Sequence, residues 1–215
     1  MKGDYTVTGD VPKWIKKAGT DVNSAPVPAG ELGATALTVP ATKVSIPAGA
    51  TKKVNISIPA NGALEYLIPE HPNLYGLTLD LKNKKQTVDV KYDRFGWRQW
   101  KFKGTELCLN GEPYQLHGDA WHFQGIPQLT RRYAWAWYKA IKDMNGNAVR
   151  PHAQVYPRFY LDLADEMGIC VLGETANWAS DGGPKLDSPK FWEASKDHLS
   201  RFVKRDRNHA SLYGW

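Results

Sequence analysis

The sequence has little of what marks several common protein classes. Only two cysteines, Cys108 and Cys170, occur in 215 residues, too few for a disulfide framework. No run approaches the roughly 20 apolar residues that cross a membrane, and the first ten residues have no apolar core of the signal-peptide kind. We therefore expect no disulfide scaffold and no membrane as partner, whereas a periplasmic, secreted or cytoplasmic location stays open.

The chain also lacks a concentrated patch of one charge. Its 28 basic and 22 acidic residues give a net charge of +6, but the basic residues are divided among short groups at 13–17, 82–85 and 203–207. Proteins that bind nucleic acids usually gather such charge into a single stripe. The sequence therefore predicts a solvated surface and no nucleic acid as partner.

The first part of the chain has the pattern of β-strands. Polar and apolar residues alternate over 51–60, 76–81 and 87–92, and the stretches between them are rich in Pro, Gly, Ala and Asn. Short strands at this spacing, without a helical period, are typical of an immunoglobulin-like β-sandwich. We assign this domain to residues 1–93.

From about residue 94 strands and helices alternate. A segment at 94–99, with Arg94, Phe95 and Trp97, is predicted to be a buried joint between the two parts. Four strands are predicted at 114–118, 147–152, 169–174 and 211–215. Helical spacing predicts three helices between them: one with a face of Ala134, Trp137, Ile141 and Met144, one with a face of Tyr160, Leu163, Ala164 and Met167, and one from Ser188-Pro189 towards Arg205. This pattern predicts that residues 94–215 form the first half of a TIM (β/α)8 barrel, so the fold class is multidomain β plus α/β.

Polar residues recur where these predicted strands end. In β/α barrels, side chains at the carboxyl ends of the strands converge on one mouth. The candidates there are His117, Asp119, His122, Arg150, His152, Glu174, Asn177 and Trp178. Arg150 follows an apolar strand and would need an anionic partner, either Glu174 or a substrate, and Trp178 could offer its indole to a sugar ring. His117 is more simply a structural histidine, and the spacing of His122, His152 and Glu174 does not support a metal site, so we predict no metal and no cofactor.

Several of these segments, in this order, resemble glycoside hydrolase family 2, which includes β-galactosidases, β-glucuronidases and β-mannosidases. The matching segments are "PNLYGLTLDL", "VDVKYDRFGWRQ", "LNGEPYQLHG", "NAVRPH", "DLADEMGICVLGE" and "RDRNHAS". By position, His122 resembles a histidine that contacts the sugar in the family. Arg150 resembles an arginine that supports the nucleophilic carboxylate, and Glu174 resembles a supporting acidic group. The chain departs from the family pattern after Arg150: His152 comes after one residue rather than two, and three residues separate it from Tyr156-Pro157.

The resemblance implies the central part of a retaining β-glycosidase acting on terminal β-linked sugars, with carbohydrate as its partner. In the family, "RNHPS" leads into a strand that ends on Asn-Glu, and this glutamate is the general acid/base. The resemblance therefore places the general acid/base just after Trp215 and the nucleophile on a later strand. No catalytic carboxylate is then expected within the chain, and the chain alone would be inactive. The alternative is a non-catalytic module that binds carbohydrate or protein.

A half-barrel would also leave one sheet face uncovered. We expect this face to include Val149, Val171 and Leu212, and to lose on the order of 10 kcal/mol of burial if several hundred Å² stay exposed. The chain would then need contact with the missing barrel half, or a homo-oligomer, to order this part.

Overall fold

A computed structural model of the chain describes residues 3–17, 30–122, 125–177 and 185–215. Strands dominate its first half, and strands alternate with helices in its second half. No helix among the described residues is long and apolar enough to cross a membrane.

The first half is built on one antiparallel sheet of four long strands. These are β1 (Gly3–Lys16), β2 (Gly30–Ile46), β3 (Leu74–Asn83) and β4 (Gln86–Gly96), in the spatial order β2-β1-β3-β4. The predicted strands at 76–81 and 87–92 lie inside β3 and β4. Neither β1 nor β2 was predicted as a strand.

The predicted strand at 51–60 forms no strand in the structure. Val54, Ile56 and Ile58 are each half-buried between exposed neighbours. The period-two pattern therefore reflects which side chains of the segment are shielded from solvent. Because no backbone ladder pairs with this segment, the alternation alone was not sufficient to make it a strand. Within the described residues up to 93, one sheet is formed rather than the two that a sandwich requires.

A small antiparallel sheet leads from the first half to the second. Its strands are β5 (Trp100–Lys103), β6 (Glu106–Leu109) and β7 (Glu112–Pro113). Asn110 and Gly111 connect β6 to β7 with φ angles of 54° and 98°, as the Asn-Gly pair of a tight hairpin requires.

The second half contains a four-stranded parallel sheet with helices between its strands. Its strands, in spatial order β8-β9-β10-β11, are β8 (Gly118–Trp121), β9 (Ala148–Pro151), β10 (Cys170–Leu172) and β11 (Leu212–Gly214). The helices are α1 (Arg131–Asp143), α2 (Arg158–Met167) and α3 (Pro189–Asp206). The predicted number and order of these elements are confirmed.

The first of these strands was predicted too early, at 114–118. Tyr114 instead extends the preceding hairpin, since its N–H donates to the carbonyl of Leu107. Pairing with β9 begins at Gly118, opposite Ala148. A Cβ at Gly118 would lie 2.2 Å from the carbonyl oxygen of Ala148, so glycine allows the two backbones to approach where the parallel sheet begins.

The core of this half lies between the parallel sheet and its helices. Val149, Val171 and Leu212 are at most 2% exposed and belong to one cluster with side chains of α1 and α2. Our expectation that these three residues face an uncovered side was therefore wrong. Because successive side chains of a strand point to opposite faces, residues such as Arg150 and Leu172 lie on the side away from the helices.

The predicted face of α1 is correct in part. Ala134 and Ile141 are buried and Trp137 packs against the same cluster. Met144 is 70% exposed because it follows the last helical residue, and Tyr138, which was not predicted, is fully buried. Burial keeps the Tyr138 phenol neutral by raising its pKa.

The predicted joint at 94–99 is tight at its arginines and open at its tryptophan. Arg94 is 7% exposed, whereas Trp97 is 41% exposed and was wrongly expected to be buried. Arg98 donates to the carbonyl oxygens of Ala210, His209 and Leu212. Guanidinium groups thus reach from the joint into the second half, beside an apolar cluster of Trp14, Leu67, Leu74 and Ala210.

Three carboxylates of α2 meet Arg94 across this joint. The Arg94 guanidinium donates to Glu166 at 2.8 Å, and Arg131 binds the other oxygen of Glu166. Asp165 accepts from the backbone N–H of Ser211 at 2.7 Å and lies 2.8 Å from the His209 ring nitrogen. We call this set, Arg94, Arg131, Asp162, Asp165, Glu166 and His209, the joint network.

Candidate functional site

Three neighbouring parallel strands bring the sequence-predicted site residues to one edge of the sheet. Arg150 lies in β9 and pairs in register with Ala120 of β8, so His122 is two residues further along the adjacent strand. Glu174 is two residues past the end of β10, which pairs with β9 on its other side. Arg150, His122 and Glu174 thus lie together at the carboxyl ends of β8, β9 and β10.

Arg150 and Glu174 form an ion pair at this edge. The Arg150 Nε lies 3.0 Å from the Glu174 Oε2, and the two side chains are 43% and 28% exposed. Both groups are partly hydrated, so the pair does not bear the full desolvation penalty of a buried pair. The arginine therefore keeps exposed guanidinium surface that can still meet an anion or a hydroxyl group.

Glu174 also holds the turn that follows β9. Its Oε1 accepts from the backbone N–H of Ala153 at 2.8 Å, and Ala153 has a φ of 50°. A non-glycine residue in this left-handed region costs on the order of 1 kcal/mol. The same carboxylate thus fixes the Arg150 side chain and a strained backbone turn. The role of Ala153 was missed, although the altered spacing after Arg150 marks this segment as unusual.

The turn places His152 against His122. The two imidazole rings are stacked with their centroids 4.1 Å apart and their planes tilted by 32°. The Nδ1 of His152 is buried and has no hydrogen-bond partner among the described residues. A ligand that reached this edge would thus find two adjacent imidazoles and an unsatisfied ring nitrogen.

The remaining predicted site residues are Asn177, Trp178, His117 and Asp119. Asn177 is exposed, and Trp178 lies outside the described residues. His117, the predicted structural histidine, acts in the described structure through its backbone: its carbonyl oxygen accepts from the N–H groups of Asn147 and Ala148. Asp119 is exposed and accepts from the N–H of Ala120.

A shallow cavity of about 280 Å³ lies beside the ion pair, on the sheet face away from the helices. Gly118, Ala120 and Arg150 line it with Leu172 and Tyr213. Burial raises the pKa of the Tyr213 phenol, so this hydroxyl stays protonated and can both donate and accept a hydrogen bond. The cavity thus offers small apolar walls, one phenol, one guanidinium and the carboxylate of Asp119.

No model of a protein family matches the chain. A putative β-glucuronidase of Formosa agariphila is 33% identical over 161 residues, which cover 68% of this chain and 15% of the relative. A β-galactosidase of Pseudoalteromonas haloplanktis is 33% identical over 156 residues, again covering 68% and 15%. Among solved structures, a glycosyl hydrolase family 2 member from Bacteroides cellulosilyticus superposes with a TM-score of 0.74 at 18% identity, covering 99% of this chain and 26% of that structure.

The resemblance to glycoside hydrolase family 2 is confirmed. The chain spans about 15% of the length of the curated relatives it matches. The family 2 structure supports the arrangement of a β part followed by an α/β part. The curated relatives are named as a putative β-glucuronidase and a β-galactosidase. The likeness in fold rests on the family 2 structure, which covers 99% of this chain.

Proposed function

We propose that this chain is part of a longer retaining β-glycosidase and supplies supporting groups of its active site. In this proposal residues 1–93 form an immunoglobulin-like domain and residues 94–215 the first half of a TIM barrel. The observation that carries the proposal is the ion pair of Arg150 and Glu174 beside the stacked His122 and His152, at the carboxyl edge of the parallel sheet. Active sites of β/α barrels lie at this edge.

Glu174 serves as a positioning residue rather than as the proton donor. Its Oε1 is taken by the Ala153 N–H and its Oε2 lies against Arg150. A general acid must offer a proton to the leaving oxygen, whereas both oxygens of Glu174 are engaged by groups of the chain. The two carboxyl groups of retaining hydrolysis are therefore assigned to other parts of the longer protein.

The remaining side chains are given roles in sugar binding. His122 and His152 present ring nitrogens to sugar hydroxyl groups, and Arg150 orients the nucleophilic carboxylate. Asn177 and Trp178 are proposed at the rim, where the indole would stack on a sugar ring. The substrate class is a terminal β-linked sugar, in keeping with relatives named as a putative β-glucuronidase and a β-galactosidase.

The test uses the longer protein that contains this chain. Aryl β-galactosides and aryl β-glucuronides are offered as substrates to the unmodified protein and to Arg150→Ala, with Lys139→Ala on the exposed face of α1 as the matched control. We expect Arg150→Ala to lower kcat/KM by at least about 100-fold, the range found when one transition-state contact is removed, and the control to keep full activity. Equal activity of Arg150→Ala and the unmodified protein would overturn the proposal.

A further inference from the structure

A second cavity lies at the joint, away from the edge that carries Arg150 and Glu174. It measures about 280 Å³. Its walls come from the end of β4, the first turns of α2 and the turn before β11, through Tyr92, Asp93, Arg94, Arg158, Asp162, Asn208 and His209. Small-molecule sites in proteins typically measure about 300–1,000 Å³, so this volume lies at the lower limit and suits a molecule no larger than a monosaccharide. We call it the joint cavity.

One carboxylate in the wall of the joint cavity lacks a hydrogen bond in the described part of the chain. Asp165 and Glu166 have both of their oxygens engaged. The carboxylate of Asp162, in contrast, lies 3.6 Å from the Arg94 guanidinium and 3.9 Å from the His209 Nδ1, beyond hydrogen-bond distance. Asp162 is only 7% exposed. Its burial is reflected in a pKa raised by desolvation.

Two further polar atoms of the cavity residues are buried without a partner among the described residues. They are the Tyr92 hydroxyl and the His209 Nε2. His209 is 4% exposed, so its free ring nitrogen is withheld from bulk water. Buried polar groups are normally hydrogen-bonded, and each exception needs a partner such as a ligand or an ordered water. Three unsatisfied groups thus line a single cavity.

A metal ion does not suit this place. The carboxylates of Asp162 and Asp165 and the His209 ring nitrogen lie within 4.8 Å of one another, which is close enough for a shared cation. The Arg94 guanidinium, however, is 3.6 Å from each of the two carboxylates. A divalent cation would be brought next to this permanent positive charge, so the arginine already provides the counter-charge.

The charges of the cavity wall and the joint network balance. Four basic groups face four acidic groups when His209 is protonated: Arg94, Arg131, Arg158 and His209 against Asp93, Asp162, Asp165 and Glu166. A charged ligand would upset this balance in a poorly hydrated place. A neutral ligand that both donates and accepts hydrogen bonds satisfies Asp162, Tyr92 and His209 together.

We propose that the joint cavity binds a neutral, hydroxyl-rich molecule of monosaccharide size. A hydroxyl of the ligand donates to the Asp162 carboxylate, and other hydroxyls meet the Tyr92 hydroxyl, the His209 Nε2 and the Oδ1 of the exposed Asn208 amide, whose Nδ2 donates to Asp93. The proposal does not depend on the glycosidase function, because none of these residues belongs to the Arg150 and Glu174 edge. Ordered water is the competing occupant, since the volume holds about nine molecules at about 30 Å³ each.

The test is a calorimetric titration of the chain at pH 7 with three probes. Methyl β-galactopyranoside is neutral, glucuronate is an anion and glucosamine is a cation. We expect the neutral probe to bind most tightly, and Asp162→Asn to weaken it at least about tenfold, as the loss of a hydrogen bond to a charged group implies. Asn208→Ala, on an exposed side chain that leaves the joint network intact, should weaken it severalfold.

Arg150→Ala separates the two sites. Neutral-probe binding that is unchanged in Arg150→Ala and weakened in Asn208→Ala supports the joint cavity. Binding lost in Arg150→Ala and kept in Asn208→Ala would place the sugar at the other edge and overturn the proposal. No heat from any probe, or tighter binding of a charged probe, would also overturn it, the first outcome meaning that water alone fills the cavity.

Discussion

At the scale of single residues, Glu174 and Ala153 show how one carboxylate can organise a turn. One oxygen of the Glu174 carboxylate pairs with the Arg150 side chain, and the other accepts from the backbone N–H of Ala153, which has a left-handed conformation. The residue pattern indicated that Arg150 needs an anion near it. It could not indicate the turn, because the φ angle of Ala153 arises from the altered spacing between Arg150 and Tyr156 rather than from any preference of alanine.

We expect Ala153→Gly to raise the free energy of unfolding by up to about 1 kcal/mol. Glycine adopts a φ of 50° without the steric cost that alanine bears, and this gain outweighs the larger entropy of the unfolded glycine chain. Urea denaturation measures the change. Ala176→Gly, at an exposed position without a positive φ, is the control and should be neutral or destabilising. A loss of stability in Ala153→Gly as large as in the control would contradict the account of strain.

Glu166→Gln tests the joint network at the same scale. Both Glu166 oxygens bind arginines, and its side chain is fully buried. Removing its charge leaves Arg94 and Arg131 partly unpaired, which typically costs about 3–5 kcal/mol. Asp143→Asn breaks the exposed pair with Lys139 and should cost no more than about 0.5 kcal/mol. Chemical denaturation compares the two, and equal small losses would show that the buried pairs contribute little.

At the scale of elements, the second half could be predicted well and the first half poorly. Buried apolar runs and helical periodicity can be recognised within each segment of the sequence, and together they indicate alternating strands and helices. For this reason β9, β10, β11 and all three helices were predicted near their observed positions. The long strands β1 and β2 depend on pairing with each other and with β3, which local composition does not report. The acidic residues of α2 could have been solvated, and only their meeting with Arg94 and His209 explains their burial.

His209, in the turn before β11, makes the stability of the joint depend on pH. Burial lowers the pKa of His209, but Asp165, Asp162 and Asp206 outweigh it and raise the pKa above 6.5. A raised folded pKa stabilises the fold fully below the unfolded value, and this contribution is lost as the pH rises through the folded pKa. Arg94 and Arg98 also face this region, but both stay charged over this range.

We therefore expect thermal stability to fall as the pH rises above about 6.5, and His209→Gln to remove most of this fall. Asp165 affects the stability at acid pH. Burial raises its pKa, but His209 and Arg94 outweigh burial and lower it, so its contribution is lost as the pH falls below 3.8. His71→Gln, an exposed histidine, should leave the profile unchanged. A His209→Gln profile parallel to that of the unmodified chain would contradict this role.

At the scale of the whole molecule, the two halves meet through buried charged groups and through a small apolar cluster in which Trp14, Leu67 and Leu74 pack with Ala210. Arg94 and Arg98 lie at the end of the antiparallel sheet and just beyond it, and reach α2 and the segment leading into β11. Opening the joint would leave several buried charges without partners. The open face of the parallel sheet is also less apolar than we expected, because Val149, Val171 and Leu212 pack against the helices. The need for a covering partner stays a prediction.

We expect the chain to unfold in a single transition that includes both halves. Separating them would leave Arg94 apart from Glu166 and Asp165 before either half gains anything in return, so a state with one half unfolded should be poorly populated. Tryptophan fluorescence and far-UV circular dichroism in urea should give coincident curves, and hydrogen exchange should give similar protection in β3 and in α2. Glu166→Gln should separate the curves by weakening the joint, whereas Asp143→Asn should not. Two transitions in the unmodified chain, or protection confined to the antiparallel sheet, would show that the joint network does not couple the halves.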